Sequence, residues 1–428
     1  MEISPVYRQI VYKSYNGGKE TLVLSISTNQ VQNMNVSIIT WRIYLGILIV
    51  VILSSACIKN EQFTNTNEIV IPDNQDEIKS YLSEYADTVW YVYLEDCDSS
   101  YIGQVSEMKL SRNYIIIYDK YINQLSLFTS TGAFLRKIGK QGGGPGEYGN
   151  VFSFDITKDV SLIYVYAPGD NILVYGINGI FKESIYVGIK FRYLNLIGNK
   201  VAIQVSYPIS HIYDGYSNYI LDQSGQVVKR LWKKNPINKN GEPRISGFSE
   251  NYLYQDTICY WEYFNDTIYG LSKDYSLIPR WAINLGPRKL GNSAFQNMST
   301  LGEKTTEAVR LMTSFAETTD FFFLELVDRR KLCRYIYLKN KQSIVKVGSG
   351  RIDSRIPELI NDLDNGPNFW STRSVNSSVL VKVVEPSEMI TLLSNTTGVK
   401  NNSQLQGYRE LLTIESNPTL MFIKMKSK

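Results

Sequence analysis

Residues 123–138 read NQLSLFTSTGAFLRKI, residues 171–185 read NILVYGINGIFKESI, and residues 218–231 read NYILDQSGQVVKRL. Each segment is a short apolar strand, a turn containing glycine, and a second strand. The turn glycines Gly132, Gly179 and Gly225 stand 47 and 46 residues apart. A period in the forties built from hairpins, rather than from helix pairs, marks the blades of a β-propeller. Such a blade buries each sheet face against a neighbour and is not stable alone.

The pattern continues less regularly. Strands are expected over 257–264, 267–272, 275–285, 321–326, 334–338, 343–347, 379–384 and 420–425, with turns at Asn265-Asp266, Lys273-Asp274 and Asn340. Residues 292–313 break the rhythm and read as a partly helical insertion. The roughly 340 residues from Thr88 onward allow at most seven units of this period, and six once the insertion is set aside. The expected fold is therefore all-β: a six-bladed β-propeller over 76–428, with a short N-terminal helix. That helix is read over 76–86, where Ile78, Tyr81, Leu82 and Tyr85 fall at helical spacing. The closing segment TLMFIKMK, 419–426, is too apolar for a loose tail. It is expected to pair with N-terminal residues 88–95 or 102–110 and so close the ring.

Composition agrees. Of 428 residues 43% are hydrophobic and 31 are tyrosine, which suits a large core made of strands. The net charge is +4 without a Lys/Arg-rich block, so no nucleic-acid partner is expected. Four widely spaced cysteines and a single histidine, His211, leave no zinc pattern, and neither metal nor cofactor is expected.

The N-terminal part carries an export signal. Residues 43–53, IYLGILIVVIL, follow Arg42 and precede Ser54, Ser55, Ala56 and Cys57. This apolar run is shorter than the roughly 20 residues that span a bilayer. Residues 1–56 are read as a signal peptide, with either a true start at Met34 or an unusually long n-region. The small residues before Cys57 resemble a bacterial lipobox, which implies acylation of that cysteine. Residues 57–75, polar and without period, read as a lipidated tether.

Residues 138–148, IGKQGGGPGEY, lead into VFSFDI at 151–156. Glycines with positive φ and the stiff Pro145 suit a chain leaving one blade and diving to the axis of the next. Gly139, Gly142, Gly143, Gly144, Pro145, Gly146, Glu147 and Tyr148 are therefore read as a blade-junction turn. A phosphate loop would need Gly-Lys-Ser/Thr entering a helix. The turn resembles the junction of NHL-type propellers. With 82–96, 266–271 (DTIYGL), 366–370 (GPNFW) and 417–426, the mature chain resembles the six-bladed propeller lipoproteins of the Bacteroidota. That resemblance implies the fold and a cell-envelope location, lipid-anchored at the outer membrane; it implies no activity.

A lone His211 without a G-x-S-x-G elbow gives no triad, and no catalytic residue is assigned. The neighbours Glu95/Asp96 and Asp362/Asp364 read as turn residues before they read as glycosidase pairs. Phe369, Trp370 and Tyr213 are candidate ligand-face aromatics. Thr88, Thr257 and Thr267 each follow Asp and precede a β-branched residue. This is a strand-start pattern that also resembles an O-glycosylation acceptor. The expected function is a non-catalytic binding or assembly module for a glycan, a peptide or another envelope protein. The alternative is a propeller hydrolase or lyase.

Overall fold

The structure, a computed structural model, describes residues 66–427 except 168, 206–215, 234–248, 263–264, 290–309, 352–353 and 396–402. A separate hairpin, Lys13–Asn16 with Lys19–Leu22, is also described. The apolar run 43–53, Cys57, Tyr213, His211 and most of the expected insertion lie outside the described residues. The end of that insertion is strand Arg310–Glu317.

Six sheets form the propeller, and in blades 1 to 5 four antiparallel strands run from inner to outer in chain order. Blade 1 spans Val105–Leu110, Tyr114–Asp119, Gln124–Thr129 and Phe134–Ile138. Blades 2 to 5 begin on inner strands Ser153–Ile156, Tyr193–Ile197, Ser249–Tyr254 and Arg310–Glu317. Second strands such as YIIIYD (114–119) and FFFLELVD (321–328) are nearly unbroken apolar runs, because neighbouring blades cover both of their faces. In all five of these blades the pairing of third and fourth strands shifts register once. A bulge of that kind adds local twist.

Blade 6 closes the ring. Its order is Ser374–Asn376, Val379–Val384, Thr419–Met425 and then, outermost, Ala86–Tyr93 from the N-terminal side. Leu420 and Phe422 pack toward blade 1, while Met421, Ile423 and Met425 pack toward blade 5. Two helices, α1 (Pro386–Asn395) and α2 (Ser403–Leu411), lie between its second and third strands. They bury Met389, Leu393, Leu405 and Tyr408 in the same cluster as Tyr91 and Phe369.

The repeat glycines fall where the period placed them. Gly132, Gly179 and Gly225 join third to fourth strands of blades 1, 2 and 3, with φ of 92°, 81° and 84°. A Cβ at these positions would meet the carbonyl oxygen of Tyr93, Lys137 or Tyr186, each on the outer strand of the preceding blade. The glycine therefore serves two ends: it allows the left-handed turn and lets one blade's turn touch the preceding blade's backbone.

Two expectations change. The helix over 76–86 is a single 3₁₀ turn, Leu82–Glu84, with Ile78 and Tyr81 exposed. The tether is structured from Asn67 onward: Asn67–Val70 pairs in parallel with Leu277–Asn284 and caps the outer edge of blade 4. Residues 71–82 then cross blade 5. Arg310, almost fully buried, donates to the carbonyls of Ile71, Pro72 and Asp73 and pairs with Asp328 at 2.8 Å. Farther on, the Ile78 amide donates to the Lys346 carbonyl and the Leu82 amide to that of Ile360. Local helical spacing lost here to partners distant in sequence.

Deleting 417–428 removes the strand that joins both termini, with five buried apolar side chains worth about 1.5–3 kcal/mol each. The truncated domain is expected to lack a cooperative thermal transition; melting within a degree or two of the intact domain by circular dichroism would contradict ring closure. Gly132→Ala, with its Cβ 1.9 Å from the Tyr93 carbonyl, is expected to cost at least ~1–3 kcal/mol in urea denaturation.

Candidate functional site

Inner strands present one unpaired edge to the propeller axis, and their amides and carbonyls need partners. Around blades 1 to 3 these come from side chains one blade earlier. Asp155 accepts from the Leu196 amide at 2.8 Å and Ser153 from the Leu194 amide at 3.2 Å. Ser153 also donates to Glu107 at 3.5 Å. Lys109 stands between Asp155, 3.5 Å away, and Glu107, 3.8 Å away. Arg373, just before the inner strand of blade 6, donates to the Val105 carbonyl.

Two cations and two carboxylates thus form a balanced group. Burial pushes the Glu107 carboxyl up to about 7; Lys109 opposes this and Asp155 adds to it. These residues escaped the sequence reading. Their signal was Glu107 and Lys109 two apart in VSEMKL, so that both point to one face of a strand.

A second charged group lies between blades 4 and 5. Glu317, fully buried, accepts from both Arg280 Nη atoms at 2.9 and 3.1 Å, from Lys339 at 2.8 Å, from Trp281 Nε1 at 3.1 Å and from the Tyr252 hydroxyl at 2.6 Å. Arg280 reaches it by lying across Gly270, where a Cβ would stand 2.6 Å from its Cδ. Burial pushes the neighbouring Cys259 thiol up to about 11, so it is a poor nucleophile at neutral pH. Five donors on one carboxylate make this a joint between blades.

The sequence-derived residues fall as follows. The turn 139–148 folds on itself: Glu147 accepts from the Gly144 amide and pairs with Lys140 at 2.7 Å, placing a carboxylate where a phosphate would sit. Tyr148, buried, donates to the Ile138 carbonyl and accepts from the Leu125 amide. Phe369 and Trp370 are not a ligand face. Both are buried, Trp370 against Phe323 and under Arg334, because the turn at Gly366 folds onto Tyr91. Thr88 is exposed on the outer strand of blade 6; Thr257 and Thr267 open strands and are half-buried. Glu95 accepts from the Phe134 amide, Asp96 from Asn417, Asp362 from Ser83, and Asp364 from Asn361 and Gly366. Neither pair faces a partner across a cleft. A cleft of about 340 Å³ between residues 77–80 and blade 5 has acidic lining residues that are already engaged: Glu77 by Lys346, and Glu358 by Arg334 and Lys382. Cys97, Cys259 and Cys333 are unpaired thiols. Among the described residues no group of three or more His, Cys, Asp or Glu is arranged to hold a metal.

Ring, closing blade and axial network define a six-bladed β-propeller. The chain belongs to the family described as domain of unknown function DUF4934, matched over residues 66–424. Among solved structures it is similar to a Bacteroides fragilis protein described as exported, at 18% identity and a TM-score of 0.66, covering 85% of this chain and 100% of that one. A Bacteroides vulgatus member of the duf4221 family aligns at 11% identity and a TM-score of 0.44, over 80% of this chain and 97% of the other. No curated protein matches the sequence.

The raised Glu107 carboxyl sets a pH dependence. In the folded chain it holds a proton that the unfolded chain releases near 4.5, so stability falls as pH rises from there through about 7. Urea midpoints measured at pH 5 and pH 8 are expected to differ less in Glu107→Gln than in the wild type. An equal drop in both would assign the effect to other groups.

Proposed function

We propose that the chain is an exported envelope lipoprotein, acylated at Cys57 and held at the outer membrane, whose propeller is a non-catalytic binding or assembly module. The observation that carries the binding role is the state of the charged groups. Around the axis they are paired and tied to strand edges, and the acidic neighbours singled out in the sequence are committed to turns. No poised acid–base pair stands apart from this internal bonding among the described residues. Export is supported by the apolar run ending Ser-Ser-Ala-Cys and by the fold likeness to the B. fragilis protein described as exported.

A second reading has one observation in its favour: Glu107 near pH 7 beside Asp155 is the kind of perturbed carboxyl that hydrolases use. It predicts that purified protein cleaves glycans or peptides and that Glu107→Gln abolishes cleavage. The binding reading expects no turnover. It also expects in-cell crosslinking to recover a stoichiometric glycan or protein partner; turnover lost in Glu107→Gln would replace it.

Anchoring has its own test. The native protein is expected to carry added acyl mass on Cys57 as its N-terminal residue and to partition into detergent. Cys57→Ser is expected to lose both. Unmodified mass at Cys57 in the native protein would refute the anchor.

A further inference from the structure

The turn between the second and third strands of blade 5 is two residues long. Asp328 pairs with Lys331 across it, and Arg329 and Arg330 form the exposed tip, with φ of 50° and 61°. Asn-Gly makes such a turn without strain; two arginines do not, and nothing in the turn calls for them. Sheet register then gathers more charge. Lys331 lies directly opposite Arg351 on the fourth strand, Ser343–Arg351, a pairing of like charges that costs stability. The Ser354 amide donates to the Arg351 carbonyl at 2.9 Å, and Arg355 follows. Residues 329–331 and 351–355 carry five cations against one acid, Asp353. Arg329, Arg330, Lys331 and Arg355 are exposed and form no ion pair among the described residues.

This patch stands beside the N-terminal strap, residues 67–82. Asp328, at the foot of the turn, is held by Arg310 at 2.8 Å and by Arg288 at 3.0 Å. Both guanidinium groups also donate to the Asp73 carbonyl, at 3.1 and 2.9 Å. The segment that leads in from the N-terminal side is therefore fixed at the foot of the basic turn. The strap begins pairing at Asn67, and residues 58–66, nine in number, join it to Cys57. At 3.3–3.6 Å per residue that joint reaches about 35 Å at most.

We propose that this patch rests on the anionic phospholipid headgroups of the membrane in which Cys57 is anchored, and so orients the propeller on that surface. The proposal rests on the lipoprotein reading and adds a second membrane contact to it. The cations stand at a hairpin tip and on the strand beside it, a shape that suits a broad charged surface rather than a small enclosed anion. Each Lys or Arg near an anionic leaflet adds roughly fivefold to partitioning, an attraction that fades within a Debye length. A short tether raises the effective concentration of the surface at the patch.

The test is co-sedimentation with vesicles of the mature chain, residues 57–428 with Cys57→Ser, which cannot be acylated. It is expected to bind phosphatidylcholine vesicles containing about one quarter phosphatidylglycerol, and to bind phosphatidylcholine alone at least roughly tenfold more weakly. High salt should abolish the difference. Arg329→Asn combined with Arg330→Gly removes two charges and gives the turn its favoured residues. This variant is expected to bind roughly 5- to 25-fold more weakly while its urea midpoint rises, opposite movements that a merely structural role would not produce. Arg112→Gln with Lys424→Gln, both exposed and on blades 1 and 6, should bind like the wild type. Equal binding of the turn variant and wild type, equal binding to both vesicles, or no binding would overturn the proposal. So would release by glycerol phosphate beyond that by sodium chloride at equal ionic strength, which marks a site for free phosphate. Tighter binding to polygalacturonate than to vesicles would make the partner an acidic glycan and overturn it too. These failures would leave the anchor standing if native Cys57 carries acyl mass. Charge-dependent vesicle binding beside an unmodified native Cys57 would remove the anchor and retain the patch as the membrane contact.

Discussion

Thr419–Met425 lies between Val379–Val384 and Ala86–Tyr93, and through it the two ends of the propeller chain become one sheet. A ring of blades has no edge strand facing a neighbour only if first and last blades meet; otherwise two apolar sheet faces stay open to solvent and to other chains. The residues fit that demand on both sides. Leu420 and Phe422 fill the gap toward blade 1, and Met421, Ile423 and Met425 fill the gap toward blade 5. Every inter-blade cluster then has two walls, and the inner strands are brought near enough for Asp155 to reach Leu196 and for Arg373 to reach Val105. The axial network is a product of closure rather than a cause of it.

The blade rhythm was legible because a covalent property carries it. Gly132, Gly179 and Gly225 sit where a side chain would strike the neighbouring blade's carbonyl, so the requirement appears as a residue type at a fixed spacing. In blade 4 the corresponding turn holds Tyr275 at φ 58°, a tolerated but costlier solution that hides the repeat. Closure was readable from the apolar end segment for the same kind of reason. What failed depended on distant partners. Helical spacing over 76–86 was outweighed by pairing with Lys346 and Ile360, more than two hundred residues away. The α1–α2 pair had a signal in Pro386 opening a run with Met389 and Leu393 four apart, but it lay between segments read as strands. Phe369 and Trp370 looked like loop aromatics, and their burial depends on a turn that packs against Tyr91.

The site residues were harder to read for a related reason. Glu107, Lys109 and Asp155 are ordinary in a half-exposed strand; their meaning comes from three blades converging on one axis. Likewise Asp119, Asn123 and Asn417 look like turn residues. Asp119 and Asn123 do stand at a turn, and all three tie loops that are distant in sequence. A polar residue that satisfies local and remote backbone groups together costs little to bury. It also fixes the loops it joins.

The strap between residues 67 and 82 has a mechanical consequence. Asn67–Val70 runs parallel to the outer strand of blade 4, with four pairings in register, and Arg310 grips the next three residues by their carbonyls. A pull exerted through the chain before residue 67 loads those pairings in shear, all at once, and then loads the Arg310 grip. Tension reaches Ala86–Tyr93, the strand that closes the ring, only after both have yielded. The propeller thus has a strain relief of the kind built into an electrical cord: the joint that must not open is not the joint that bears the load.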